Sequence, residues 1–559
     1  MEKRLLLALV LAAAVIIVSQ KLFPAPITPK TATVDSTVAA RVEDTASQKP
    51  PAAQTPTAVE PSKAQRPDST RLASAEIPSG DTITATAPKA IYRFTSAGAA
   101  PLDVTLSDYH FLPKSSKNIV LGRPGTRLLS YDLVIGKDTV HLDKVDFAVD
   151  SSAFASKKEI SFAANVDSSK VVISYGFAST GYLANVRGSV TGPGSAGELL
   201  IRLHHGLPFV EADSTDDLRN LAYVVKPVQG DVNSISFSKL DSLQPKVEPD
   251  SLTWVASKNK YFLLALISTQ PARPFAAAVF TRGPHQPTKT VTTADGLILQ
   301  PLNKNGEFAF QLYTGPQEWR RLHQMGQDLD HVNPYGGFFR AVVQPFSNIV
   351  MQVLLWIHDG LRINYGWVLI IFGVVVRLLL WPLNQGAMRN SLKLQRIQPQ
   401  LQEIQKRYKS NPEKLQAEMG KLYKDHGMSP FTPLAGCLPM LIPMPVLFAL
   451  YFVFQNTIEF RGVSFLWLPD LSQRDPIFIL PAVMGLSMYV LSWISLRASP
   501  PNPQAKMMAY VFPVMMVVFF WRLAAGLNLY YAVQNLATLP QQWLIARERA
   551  KLTVTPASG

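Results

Sequence analysis

The sequence predicts a membrane α-helical bundle of six spans, five of them forming the core, joined to an all-β sandwich domain. Composition is the first reason: of 559 residues, 47% are hydrophobic and only 17% are charged, whereas soluble domains carry about 25% charged residues. The second reason is a change of period, from alternation in about 91–320 to helical spacing after about 336. This composition argues against a disordered chain or an ordinary cytosolic enzyme, and a single cysteine excludes internal disulfides.

The first segment, 1–23, is predicted to be a transmembrane anchor. Two basic residues precede an unbroken apolar run over 5–18, which places the N-terminus in the cytoplasm. A secretory signal peptide is the alternative reading of such a run. Residues 16–21 offer no clean small-residue cleavage site, so an uncleaved anchor is favoured.

Two segments follow the anchor. Residues 24–90 are rich in Pro, Thr, Ala and Ser and are predicted to form a flexible linker, because they cannot bury enough apolar area to offset the loss of chain entropy. Residues 91–330 alternate apolar and polar side chains in short runs, of which 198–203 and 307–313 are clear examples. Many short strands separated by turn residues are typical of a β-sandwich.

The rest of the chain has helical spacing. Residues 336–360 carry apolar side chains three or four apart, which predicts an amphipathic helix lying along the membrane surface. Residues 364–383 form the second span, and 430–549 contain the third to sixth spans. A short cytoplasmic tail, 550–559, ends the chain.

The segment 384–429 is predicted to be a cytoplasmic helical hairpin. It carries nine basic against four acidic residues, a net charge of +5, and basic residues concentrate in cytoplasmic loops. The alternation of six spans leads independently to the same orientation, with both termini in the cytoplasm and 24–350 outside. Pro412 suits the first turn of the second hairpin helix.

The hairpin's basic residues allow two interpretations. One is an ordinary solvated loop; the other is a docking arm for anionic lipid, ribosome or nascent chain. Specific binding of nucleic acid is disfavoured, because the hairpin offers few aromatic side chains for stacking on bases. The candidate docking residues are Arg389, Lys393, Arg396, Lys406, Arg407, Lys421 and Lys424.

Arg377 is the notable residue of the second span. It lies six residues before Leu383, about 9 Å from the predicted cytoplasmic edge. The predicted spans contain no Asp or Glu that would pair with it. An unpaired guanidinium in lipid must reach water, either by snorkelling to the interface or through a hydrated pocket open to the cytoplasm, and the pocket is favoured.

The last span carries a polar stripe that supports the pocket. Its members recur three or four residues apart, with Gln534 and Gln541 beside them. Hydrogen bonding between helices is one interpretation of the stripe. The wall of a hydrated groove is the other, and it better suits a protein that also has an unpaired arginine. The stripe consists of Asn528, Tyr531, Asn535, Thr538 and Gln542.

Motifs for other chemistry are weak. Residues 192–197 have the spelling G-x-G-x-x-G but precede a strand, so a turn is expected. His204 and His205 have no Cys or carboxylate at ligand spacing and are expected at the end of a surface strand. With no P-loop, nucleophile elbow or paired acids in view, we expect no cofactor, no metal and no chemical reaction.

Several longer motifs resemble one family. The motifs are Val376-Arg377-Leu378-Leu379-Leu380-Trp381-Pro382-Leu383, Gly436-Cys437-Leu438-Pro439-Met440-Leu441-Ile442-Pro443-Met444-Pro445, Asp475-Pro476 with Ile479-Leu480-Pro481, and Ala525-Gly526-Leu527-Asn528-Leu529-Tyr530-Tyr531. In the β region they are Trp254-Val255-Ala256, Lys260-Tyr261-Phe262 and Leu312-Tyr313-Thr314-Gly315-Pro316. The chain from about 92 to 549 thus resembles the YidC/Oxa/Alb membrane protein insertases in their six-span Gram-negative form.

The resemblance implies a five-helix core with a hydrophilic groove open to the cytoplasm and the lipid. It implies that Arg377 is the family's groove arginine and that Tyr531 is its substrate-contacting tyrosine. Gly373 stands where the family has a threonine, one turn before the arginine. It also implies a periplasmic β-sandwich, a cytoplasmic hairpin and partnership with the Sec translocon.

We therefore expect an insertase of the bacterial inner membrane, without a chemical reaction. It would receive hydrophobic segments of nascent membrane proteins in the groove and release them into lipid, alone or with the Sec translocon. A small-solute transporter and an envelope-anchored binding module are the alternatives. The transporter predicts ionisable residues in several spans or paired repeats, neither of which the sequence shows.

Overall fold

The computed structural model describes most of the chain beyond residue 79. The predicted anchor 1–23, most of the linker 24–90 and most of the 436–445 motif lie outside the described residues. The described ranges are 80–112, 115–152, 154, 158–178, 181–211, 214–269, 274–283, 291–333, 335–336, 339–409, 411–427, 444–497 and 503–554.

The β region is built from short strands, numbered here in chain order. They are β1 Thr82–Thr86, β2 Ala90–Thr95, β3 Ala100–His110, β4 Asn118–Leu121, β5 Leu129–Ile135, β6 Asp138–His141, β7 Ala148–Asp150, β8 Glu159–Val166, β9 Ser169–Phe177, β10 Leu183–Thr191, β11 Glu198–Leu203, β12 Ala222–Pro227, β13 Asn233–Ser236, β14 Lys246–Glu248, β15 Leu252–Lys258, β16 Phe262–Ser268, β17 Ala277–Arg282, β18 Ala294–Pro301 and β19 Glu307–Pro316. Two short helices join them, α1 Ser214–Asn220 and α2 Trp319–Met325.

The strands form three antiparallel sheets. Their orders are β1-β2-β3-β4, β14-β17-β18-β11-β5-β6 and β13-β12-β15-β16-β19-β10-β9-β8-β7. The alternation that predicts β19 also sets its register, because Val186 of β10 lies opposite Phe310 and both side chains are buried. The β-rich domain is thus confirmed, whereas its arrangement as a two-layer sandwich stays a prediction.

The sheets share one hydrophobic core whose buried polar groups are largely paired. The hydroxyl of Tyr131 on β5 lies 2.7 Å from that of Tyr175 on β9, and Tyr175 donates to the carbonyl of Ala99 at 2.8 Å. The indole of Trp254 donates to the carbonyl of Gln327 at 2.8 Å. Such pairing offsets the cost of burying these polar groups, so a core without disulfides can be dense and stable.

One boundary of the β domain differs from the prediction. Strand β1 lies within 24–90, which composition assigned to a flexible linker. Thr82–Thr86 pairs along its whole length with β2 and buries Ala85 completely. The ladder hydrogen bonds and this burial stabilise a segment whose own composition would leave it unfolded.

Helices make up the rest of the described chain. They are α3 Arg340–Leu361, α4 Tyr365–Arg407, α5 Pro412–Asp425, α6 Met444–Asn456, α7 Ile479–Arg497, α8 Pro503–Phe520 and α9 Ala525–Val554. Helix α4 continues without a break past residue 383, where the predicted second span ends. The end of an apolar stretch is a change in the polarity of the side chains, and a helix need not end there. Helix α9 likewise continues into the predicted tail 550–559.

By length and composition, three described segments are candidate membrane spans: Arg340–Leu361, Tyr365–Pro382 and Ile479–Arg497. Val446–Asn456 and Ala509–Phe520 are apolar but shorter. The first segment is helix α3, which the sequence predicts to lie on the membrane surface over 336–360. Its surface position and the count of six spans therefore stay predictions.

The hairpin forms around a small apolar cluster. Ile397 and Leu401 of α4 are buried with Tyr423 of α5. Asn411 caps α5, its side chain accepting from the amide of Lys414 at 3.1 Å, and Pro412 occupies the first turn. The predicted stripes of apolar residues thus bring the two helices together.

The loop between α6 and α7 packs against the β domain through charged groups. Arg461 Nε donates to Glu211 Oε1 at 2.8 Å, and Arg461 also donates to the carbonyl of His110 at 3.0 Å. Glu459 accepts from the amide of Trp319 at 2.9 Å. Burial raises the pKa of both Glu211 and Glu459 to about 7. This contact joins two parts of the chain that are 250 residues apart.

Candidate functional site

The site lies where α4 packs against α9. Arg377 is half-buried on α4, and its guanidinium Nη2 donates to the side-chain oxygen of Gln541 on α9. Gln541 is buried, and its amide nitrogen lies 3.5 Å from the carbonyl of Trp381. The guanidinium thus bonds across the contact of the two helices, one turn nearer the predicted cytoplasmic edge than Arg377 itself.

The charge of Arg377 has no carboxylate partner among the residues that the structure describes. Every ion pair found in that part of the chain involves other residues. Its Nε is buried and makes no hydrogen bond there. The guanidinium therefore keeps its full charge at a half-buried place, which is costly unless water or an anionic group can approach it.

Gly373 allows the close approach of the two helices. It is buried one turn before Arg377, and its carbonyl accepts from the side chain of Gln534 at 3.1 Å. A Cβ atom added at Gly373 would lie 3.1 Å from a methyl group of Val533. A larger residue would press on α9, which gives a physical reason for glycine at this place.

The polar stripe of α9 divides into a sealed part and an accessible part. Asn528 is fully buried, and its amide donates to the carbonyl of Phe520 at 3.1 Å. Thr538 donates to the carbonyl of Gln534 in the same helix at 2.6 Å. Tyr531, Asn535, Thr538 and Gln542 are all half-buried. Hydrogen bonding between helices thus accounts for Asn528, whereas the wall of a hydrated groove stays a prediction for the half-buried residues.

Tyr531 and Asn535 lie one turn apart on the polar stripe of α9. Tyr531 is half-exposed and packs edge-on against Phe520, with ring centroids 4.7 Å apart. The amide nitrogen of Asn535 is buried and makes no hydrogen bond within the described part of the molecule. The two residues thus place an aromatic ring and a buried donor without a partner one turn apart.

Two residues that the sequence places beside the stripe, and not among the groove residues, make the contacts between the helices. Gln534 and Gln541 form the side-chain bonds from α9 to α4. Their spacing of seven places both on one face of the helix, and that spacing was the available signal. The sequence could not show which groups of α4 these two side chains meet, namely the carbonyls of Gly373 and Trp381.

The predicted hairpin residues lie at a distance from this site along α4 and α5. Lys406, Arg407 and Lys424 are exposed, and Lys421 pairs with Glu418 at 2.8 Å. Arg389, Lys393 and Arg396 lie on α4, but their side chains are outside the described part of the structure. A basic exposed surface is thus described only for the distal half of the hairpin.

One group in the β domain has the ligand types of a metal site. Asp132, His141 and Asp143 bring their ligand atoms within 4.8 Å of one another. Arg202 lies 2.9 Å from Asp132, and Arg127 lies 3.8 Å from Asp143. Because these arginines already neutralise the carboxylates, the cluster fits an ion-pair network better than a cation site.

The histidine pair differs from its prediction in one respect. His205 does have a carboxylate neighbour, since its Nδ1 lies 3.3 Å from Asp295. Asp295 is 90 residues away along the chain, so sequence spacing did not reveal it. His204 bonds to Ser130, and burial lowers its pKa to about 4, so the ring is neutral at neutral pH. Both follow the end of β11, as predicted, but both are half-buried rather than on the open surface.

Comparisons with known proteins match nearly all of the described chain. The family model of the 60Kd inner membrane protein matches residues 356–552, and that of the YidC periplasmic domain matches residues 82–349. The membrane protein insertase YidC of Chlorobaculum parvum is 30% identical over 407 residues, 69% of this chain and 68% of that relative. That of Prosthecochloris aestuarii is 30% identical over 393 residues, 67% of this chain and 66% of that relative.

A solved structure is also similar. It is described as "Active YidC insertase crystal structure with the first transmembrane domain resolved", and the match covers 86% of this chain and 93% of that chain. Its sequence identity is 18% and its TM-score is 0.33.

Proposed function

The chain belongs to the YidC membrane protein insertase family, and from that membership we propose that the α4–α9 site receives hydrophobic segments of nascent membrane proteins and releases them into the bilayer. The observation that carries the proposal is the half-buried guanidinium of Arg377, which meets an amide and no carboxylate within the described residues. A positive charge kept in this state attracts the polar or acidic flank of an entering segment.

The attraction is large enough to matter. A carboxylate about 4 Å from the guanidinium gains about 4 kcal/mol at the effective dielectric constant of 20 typical near protein surfaces. The half-buried polar side chains of α9 lower the desolvation cost of the flank. Capture of the flank then holds the adjoining apolar segment beside lipid.

Two driving forces complete the transfer without a nucleotide. Moving the apolar segment from water into lipid gains about 25 cal/mol per Å² of buried apolar area. The membrane potential contributes about 2.3 kcal/mol per charge per 100 mV. Because the cytoplasm is negative, this second force favours outward movement of an acidic flank.

The proposed orientation is an inner-membrane protein with both termini in the cytoplasm and the β domain in the periplasm. The contact of Arg461 with Glu211 supports it, because the α6–α7 loop and the β domain must then lie on one side of the membrane. We propose the Sec translocon as a partner in the membrane. The basic hairpin would meet anionic lipid or the ribosome.

Site-specific photo-crosslinking tests this proposal. A crosslinker at Tyr531 or Asn535 should react with a stalled single-span nascent chain. A crosslinker at Leu536, which is exposed on another face of the same helix, is the matched control and should react mainly with lipid. Equal reaction from all three positions would contradict a groove. No reaction from any of them would favour the transporter or the binding module.

A further inference from the structure

Gln541 differs from the other polar residues of α9 in what it touches. It is only 1% exposed, and its side-chain oxygen accepts from the guanidinium of Arg377. Its amide nitrogen points to the carbonyl of Trp381 on α4, 3.5 Å away. The amide therefore bridges the arginine and the backbone of the arginine's own helix.

The chemistry of an amide suits this place. A guanidinium has five N–H donors, and one neutral acceptor uses one of them without cancelling the charge. A carboxylate at the same place would form an ion pair and neutralise the site. An apolar side chain would leave the guanidinium free to turn away. A glutamine, as a neutral acceptor, both holds the group and keeps its charge.

We propose that Gln541 is a positioning residue that fixes the guanidinium of Arg377 in the groove through a neutral hydrogen bond, so that its positive charge stays available to an anionic segment flank. The inference rests on the proposed function of the same site. Gln541 thus contributes to the preference for acidic flanks through Arg377, without itself contacting the segment.

Gln534 is the matched control that the chain offers. It lies two turns earlier on α9 and also joins α9 to α4, donating to the carbonyl of Gly373 at 3.1 Å and to the hydroxyl of Tyr530 at 2.9 Å. Its bonds do not include Arg377. If Gln541 only held the two helices together, equivalent changes at Gln534 and Gln541 would have similar effects.

The experiment uses the full-length protein in a bacterial strain whose own insertase is depleted. Two single-span reporters differ only in whether the translocated tail is acidic or neutral, and protease accessibility of the tail measures insertion. Variants Gln541→Glu, Gln541→Leu, Gln534→Leu and Arg377→Ala are compared at equal abundance in the membrane. The readout is the ratio of acidic-tail to neutral-tail insertion, which a general structural defect would not change.

We expect Gln541→Glu to lower this ratio on the order of tenfold, because the new carboxylate pairs with Arg377. Gln541→Leu should lower it by a smaller factor, and the neutral change Gln534→Leu should leave it within about twofold of the parent, because neither its removed bonds nor its new side chain touches Arg377. A ratio unchanged in Gln541→Glu, while Arg377→Ala lowers it, would overturn the role of Gln541 alone. A ratio unchanged in Arg377→Ala would overturn the charge-based proposed function together with this inference.

Discussion

Arg461 and Arg377 lie in the helical half of the molecule and have opposite surroundings. The side chains of Arg461 and Glu211 are 5% and 2% exposed, and they form an ion pair at 2.8 Å. The guanidinium of Arg461 also lies 5.9 Å and 5.7 Å from the ring centroids of Tyr261 and Phe262. Arg377 has one glutamine side chain as its partner in the described structure.

The difference separates an arginine whose charge is paired with a carboxylate from one whose partner is a neutral amide. Arg461 uses its charge on groups of its own chain and joins the loop to the β domain. Arg377 is held by the neutral side chain of Gln541, so no carboxylate among the described residues uses its charge. Polar groups left unsatisfied in a native structure are concentrated at functional sites.

The largest expected effect comes from breaking the paired arginine. Arg461→Leu leaves Glu211 buried without its partner, and we expect the free energy of unfolding to fall by about 3–5 kcal/mol. Denaturation of the detergent-solubilised protein measures it. Arg461→Leu combined with Glu211→Leu should recover most of the loss. A double variant no better than the single one would mean that the ion pair is not what stabilises the contact.

A smaller loss is expected at the helix contact beside the unpaired arginine. Gly373→Thr places new atoms against Val533, and we expect about 1–3 kcal/mol of destabilisation from overpacking. The second change Val533→Ala makes room and should restore stability. If Gly373→Thr were as stable as the parent without the Val533→Ala change, α4 and α9 would not pack as closely at Gly373 as described.

The smallest effect concerns pH. Burial raises the folded-state pKa of Glu211 and Glu459 from 4.5 to about 7. Their protonated forms therefore favour the folded state below about pH 4.5, and this contribution is lost as the pH rises through about 7. We expect stability to fall between pH 5 and pH 8 by on the order of 1 kcal/mol per carboxyl.

Glu211→Gln cannot titrate and provides the control for this pH dependence. Thermal unfolding at pH 5, 6, 7 and 8 should show a smaller decrease in the variant than in the parent. Stability that instead rises with pH in the parent would mean that pairing with Arg461 outweighs the cost of burying Glu211.

Much of the fold could be predicted from the local pattern of apolar and polar residues. The alternation over 307–313 predicts β19, and Pro412 marks the first turn of α5. Periodicity could not reveal partners far apart in sequence, because it reports which face a residue occupies and not what that face meets. The Arg461–Glu211 pair, 250 residues apart, was therefore absent from the prediction.

The candidate site shows the same limit. An arginine in an apolar span and a stripe spaced three and four predict a polar face on each of two helices. The contact of Gln541 with Arg377 depends on how α9 is rotated against α4, which packing decides. Strand β1 was missed for a related reason, since its stability comes from pairing with β2 rather than from its own composition.

The most direct test of the central claim is the insertion of acidic-tail and neutral-tail single-span reporters by Arg377→Ala and Arg377→Lys. If the charge of Arg377 draws in acidic flanks, Arg377→Ala should lower acidic-tail insertion on the order of tenfold more than neutral-tail insertion. Arg377→Lys should keep most of the preference, because it keeps the charge. Equal loss for both reporters in Arg377→Ala, or no loss for either, would contradict electrostatic capture in the groove.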